Sequence, residues 1–167
     1  MQQANRVVRR VSFVAGTLLL ALAVVTTAAA SAGLDRHSVT GTGFVDDFGV
    51  FFKTTVAAHS DEDGNAWGSM MTWADLSALD LTSHLVVVAR VNCVDVDGTS
   101  AWVGGAVTHS SDPDLIPLGT EVITLVRDIG GNGQDIMHTE FFEPGTPCSS
   151  RPDLAETVVV HGNFTVR

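Results

Sequence analysis

The chain has 167 residues, 45% of them hydrophobic, and carries 9 basic against 19 acidic side chains, a formal charge of −10. That field repels phosphate backbones and anionic headgroups, which argues against nucleic-acid and membrane-surface binding and leaves solubility, cation binding or a basic partner. A solvated acidic surface is the simplest of these.

Arg6, Arg9 and Arg10 precede an uncharged run from Val11 to Thr27 that gives way to Ala30-Ser31-Ala32. A basic start, an apolar middle and a small-residue cleavage site are the parts of a secretory signal peptide. The expected division is a signal peptide over 1–32 and a single exported domain over 33–167, secreted or extracytoplasmic, where thiols oxidise. The alternative is an uncleaved run retained as a membrane anchor; after cleavage no membrane contact is expected. Cleavage removes three arginines and no acid, so six basic and nineteen acidic residues remain, a charge of −13.

From Phe48 onward, apolar residues recur with period two between clusters of Gly, Asp, Asn and Pro, the pattern of strands joined by turns. Phe48, Val50, Phe52 and Val56 share one face of a run whose other face holds Phe51, Lys53 and Thr55; Trp67, Ser69, Met71 and Trp73 alternate with Gly68, Met70 and Thr72. The two runs read as a hairpin across Asp61-Glu62-Asp63-Gly64-Asn65. That turn starts like an EF-hand loop, but its glycine stands at position four and Thr72 occupies the place of the bidentate Glu, so a tight acidic turn is the better reading. Asp75 to Leu81 reads as one helical turn capped by Asp75. The apolar segment from His84 to Val96, with Leu85, Val87, Ala89, Val91 and Cys93 on one side, predicts a central strand. Asp97-Gly98 turns it into a return strand from Ser100 to His109, in which Gly104 and Gly105 mark a bulge or a close backbone approach. A strand near Glu121 to Arg127, a long connection holding Gly130, Gly131, Gly133, Pro144 and Pro147, and a closing strand over Thr157 to Val166 complete the reading. The fold expected is all-β: one antiparallel, sandwich-like domain.

Cys93 and Cys148 are the only cysteines and are expected to form a disulfide, since they lack the close spacing of zinc ligands. Gly130-Gly131-Asn132-Gly133-Gln134-Asp135 matches one copy of a calcium-binding nonapeptide, though such repeats bind by stacking and no second copy exists. Asp128, Asn132 and Asp135 still offer the hard oxygens of a non-repeat Ca²⁺ loop; the competing reading is a glycine-rich turn whose Asp135 hydrogen-bonds backbone. His37, His59, His84, His109, His138 and His161 show no i, i+2 or i, i+4 pair, and there is no Gly-x-Ser-x-Gly elbow, Ser69 lying inside a predicted strand. No catalytic residue is assigned. The function expected is a non-enzymatic binding or structural module of the cell envelope or extracellular space, with a protein or glycan partner. One alternative is a hydrolase or metalloenzyme assembled from loops. The other is a carbohydrate-binding module that stacks sugars on Trp67 and Trp73, although tryptophans in a half-buried strand more often belong to the core.

Gly41-Thr42-Gly43, the valine-rich strand into Cys93, Gly98 followed by Ala101 and Gly104-Gly105, Val126-Arg127-Asp128-Ile129-Gly130 with Asp135, and Gly162-Asn163-Phe164-Thr165-Val166 come in a characteristic order. In this order the chain resembles the small exported bacterial β-domains of the post-COAP type. The resemblance implies a secreted sandwich-like domain and lends no catalytic residue.

Overall fold

The computed structural model describes residues 36–47, 49–79, 84–130 and 134–167. The expected signal peptide over 1–32, Phe48 and Asn132 lie outside them. The strands are β1 (His37–Asp47), β2 (Val50–Ser60), β3 (Ala66–Asp75), β4 (His84–Asp97), β5 (Ser100–Ser110), β6 (Glu121–Arg127), β7 (Ile136–Phe142), β8 (Thr157–Val158) and β9 (His161–Val166). They make one sheet in the order β8-β7-β6-β5-β4-β3-β2-β1-β9, every pairing antiparallel. The all-β expectation holds. In place of two facing sheets there is a single one, curled until distant strands share a core: Val39, Val56 and Met70 join Val122, Val126 and Met137 in one buried cluster.

Alternation decides which residues point inward. Even positions of β2 and β3 point inward, with Val56, Ala58, Met70 and Ala74 among the buried ones. Odd positions of β4 follow suit from Leu85 to Val91, and then the register shifts between Val91 and Cys93. A bulge moves every later side chain to the opposite face, so Cys93, expected beside Val91, instead packs on the outside while Val94 and Val96 turn inward. Gly104 and Gly105 sit opposite this irregularity. The β4–β5 turn consists of Gly98 and Thr99, one residue later than Asp97-Gly98, with a positive φ of 59° at Gly98. Asp75 accepts the Ser77 N–H at 3.0 Å and opens a short 3₁₀ turn over Ser77–Leu79, the predicted helical turn in tighter form.

β8 and β9 are parts of one run, separated only by Val159 and Val160. β8 lies on β7 at one edge of the sheet and β9 lies on β1 at the other. The run therefore carries the chain from one edge to the other, with Val159 N–H bonded to the Asp135 carbonyl and Val160 N–H to that of Phe44, each at 2.8 Å. Phe164 is fully buried, opposite Gly41. Its ring fills the space a side chain on β1 would need: a Cβ at Gly43 would come within 2.5 Å of Cε2. Gly43→Ala is expected to force that ring aside at about 1–3 kcal/mol, the usual range for overpacking, measurable as a lower midpoint in chemical denaturation.

A second, smaller core lies on the outer face of β4–β6. Ile123, Leu125, Trp102, Cys93 and Phe142 are covered there by Cys148 and Leu154 of the connection between β7 and β8. The Cys93–Cys148 disulfide, Cα to Cα 5.9 Å, fastens that connection, and Gly104 leaves room for it, a Cβ there falling 3.0 Å from that of Cys148. Arg151 adds bonds of 2.7 Å to Asp95 and 2.6 Å to Asp97 and lies over the Trp102 ring. The Asp95 hydrogen bond, ahead of the two carboxylate charges, holds the guanidinium pKa above its ordinary value.

Candidate functional site

The outer face of β1–β4 carries the side chains that the core does not use. Met70, Thr72 and Ala74 fill the interior positions of β3, so Trp67, Ser69, Met71 and Trp73 face out, contrary to the expectation that the tryptophans belong to the core. Trp67 is 43% exposed and stacks on its cross-strand neighbour His59, ring centroids 5.8 Å apart. Trp73 is half-buried, tilted against His84 at 5.0 Å. Both rings are thus backed by an imidazole from an adjacent strand, which limits their rotation.

Register fixes what lies between and around them. Phe44, Lys53, Trp73 and Val86 form one cross-strand row, and the Lys53 ammonium sits 5.2 Å above the Phe44 ring. The next row holds Thr42, Thr55, Met71 and Val88, the two threonine hydroxyls 3.0 Å apart. Thr40, Ala57, Ser69 and Arg90 follow. Exposed Phe51 stands between Asp46 and Asp75. Lys53 thus parts Phe44 from Trp73 across the strands, and Ser69 and Met71 part Trp67 from Trp73 along β3.

Beside Trp67 the face deepens into an open groove of about 530 Å³, lined by Asn65, Arg90 and Asn92 together with Gly64, Gly68 and Val91. Asn65 is held by the turn that precedes it: its backbone N–H and side-chain amide bond the two Asp61 carboxylate oxygens at 2.8 and 2.9 Å. The Asn65 side-chain bond, ahead of the backbone ones, lowers the Asp61 pKa. Those contacts make Asp61-Glu62-Asp63-Gly64-Asn65 a self-satisfied acidic turn, as the failed EF-hand spacing implied. Arg90 makes no ion pair among the described residues. Sequence reasoning passed over Arg90 and Asn92; the signal was a lone guanidinium and an amide inside the most apolar segment of the chain.

The calcium-loop candidates sit elsewhere, at the seam. Arg167 and Ser38 exchange both backbone bonds, so by the alternation of an antiparallel ladder the Phe164 and Val166 N–H groups point away from β1. Asp135, 4% exposed, accepts the first at 2.6 Å through Oδ2, and its Oδ1 accepts the Ile129 N–H at 3.2 Å. Asp128 accepts the Val166 N–H at 3.3 Å. Asp128 and Asp135 thus converge on β9 as substitutes for strand carbonyls, in keeping with the reading of Asp135 as a residue that bonds backbone.

The histidines remain dispersed in role: His138 lies 3.3 Å from Glu140 and 3.4 Å from the Thr157 hydroxyl, and His84 lies 3.8 Å from Asp75. No group of three or more His, Cys, Asp or Glu suited to a metal occurs among the described residues. Ser69 stands exposed in the middle of β3. A cavity of about 50 Å³ between the β1–β2 hairpin and β7, bordered by Phe52, Thr54, Met137 and Thr139, has room for little more than water. No family model, curated protein or solved structure matches the chain.

Proposed function

We propose that the chain is an exported, non-catalytic module that binds glycans on the outer face of β1–β4. The observation that carries this reading is the outward position of Trp67 and Trp73 on one regular strand, each ring backed by a histidine. A sugar offers an apolar C–H face for such rings and hydroxyls for the polar groups around them. The composition of the face favours a glycan over a protein partner. Protein interfaces concentrate their energy in a contiguous, water-excluding apolar centre, whereas here Lys53, Ser69, Thr42 and Thr55 interrupt the rings. The acidic charge disfavours polyanions and leaves neutral polysaccharides as the ligand class. The signal-like segment over 1–32 and the disulfide agree with a role outside the cytoplasm.

Tryptophan emission tests this directly. Titration with hydroxyethylcellulose, xylan and glycol chitin is expected to quench and blue-shift the fluorescence with at least one of them. Trp67→Ala and Trp73→Ala should each weaken that binding at least tenfold while the midpoint of unfolding stays close to the parent's, both side chains lying outside the core. Trp102, packed beneath Arg151 in the second core, contributes an emission that should not respond. Unchanged spectra with all three polymers would overturn the reading.

A further inference from the structure

On the basis of that glycan reading, we infer that the face is a two-ended site for an extended, unbranched, equatorially linked glycan, with a threshold in chain length set by the spacing of its rings. Trp67 and Trp73 are six residues apart on a strand whose pairing with β2 has no register shift. Six steps of a β-strand span about 20 Å, so with roughly 5 Å per sugar in an extended chain, four units reach from ring to ring and five cover both.

The two ends have different chemistry. At the Trp67 end, Asn65, Arg90 and Asn92 line the groove. A guanidinium presents paired donors in one plane and a carboxamide a donor beside an acceptor, which suits the adjacent hydroxyls of a sugar ring. At the Trp73 end the neighbours are Phe44, Met71 and Val86, with Lys53 as the one charged group in the row. A chain is thus anchored by hydrogen bonds at one end and by stacking at the other. A chain that coils, as axially linked glucans do, leaves the first ring before reaching the second. Arg90 alone does not make the site anionic-selective, since Asp61, Glu62 and Asp63 form the turn at the rim of the same groove.

Two weak sites bridged by one ligand bind far more tightly than either alone, and only when the ligand spans both. Calorimetry of the exported protein with β-1,4-linked cello- and chito-oligosaccharides of two to six units is therefore expected to show weak, nearly constant affinity up to three units and at least a tenfold rise by five. Trp67→Ala and Trp73→Ala should each remove the rise and leave short-chain binding at the remaining ring. Arg90→Ala should lower the affinity of chains of five units or more and leave short-chain binding at Trp73 unchanged. The length series on the unaltered protein decides the matter even if a variant folds poorly. Affinity independent of length, in a protein that still binds polysaccharide, would overturn the two-ended site and leave the glycan reading standing. Equal binding of maltohexaose would overturn the requirement for an extended chain. No binding of any oligosaccharide or polymer would remove both.

Discussion

Replacing Asp135 by Ala is expected to lower the melting midpoint by about 8–12 °C. A hydrogen bond to a charged acceptor contributes about 1.5–3 kcal/mol, and a buried donor left without an acceptor costs about 1–3 kcal/mol; a loss of roughly 3 kcal/mol at this chain length gives the stated shift. Asp135 accepts two backbone N–H groups, one of them on the fully buried Phe164. Asp135→Asn keeps the shape but turns one oxygen into a donor facing another donor, so it should recover less than half of the loss. Asp128→Ala, which frees only the Val166 N–H at 3.3 Å, should cost about 1 kcal/mol, the worth of one ordinary hydrogen bond. Amide exchange at Phe164 supplies the local reading: its protection should collapse in Asp135→Ala and survive in Asp128→Ala. An unchanged midpoint for Asp135→Ala would show that the seam does not depend on this carboxylate. The same melts in EDTA and in millimolar Ca²⁺ address the cation reading of the loop. A calcium-dependent rise that Asp135→Ala abolishes would make it a ligand site.

Cys93→Ala combined with Cys148→Ala is expected to destabilise the domain by about 4 kcal/mol, the chain-entropy value for a loop of this length. The sequence separation is 55 residues. The damage should be local before it is global. Without the bond, the 143–156 connection is held by Leu154, by Arg151 with its two aspartates, and by the ion pair of Arg127 with Glu156 at 2.6 Å. A glutamyl endopeptidase should therefore cut after Glu156 in the double variant under conditions that leave the parent intact, and the emission of Trp102 should shift red before that of the other tryptophans. Equal resistance to that protease in both proteins would mean that packing alone secures the connection.

Strand alternation made the centre of the sheet legible: β2 to β6 fall where period two and the turn residues put them, and the closing run over Thr157 to Val166 is real though split in two. Two strands escaped notice for physical reasons. The inward positions of β1 include Gly41 and Gly43, so its apolar pattern is broken, and the missing volume comes from Phe164, more than a hundred residues away. β7 is short and follows a glycine-rich segment that reads as loop. The expectation that the β3 tryptophans belong to the core failed because both faces of the strand carry apolar groups, so parity could not tell which face was inside. The curled interior is filled by Met70, Thr72 and Ala74, which sends the larger indoles outward. The cysteine pair was legible from composition and the signal-like start of the chain, yet the bulge that puts Cys93 on the outer face was visible only as two mid-strand glycines. Asp128 and Asp135 stood out by their motif; what they hold emerged only once β9 lay beside them.

The carboxylates at the seam also bear on how the protein behaves at high concentration. An exposed row of unpaired N–H groups at the margin of a sheet is a template on which another chain can add a strand, the first step toward amyloid-like association. Here one margin is a strand of two residues, and at the other the outward N–H groups of Phe164 and Val166 already end on negative charges. An incoming strand would have to displace two aspartates and bring its own carbonyl oxygens against them. The pair that closes the sheet therefore guards it against self-association as well.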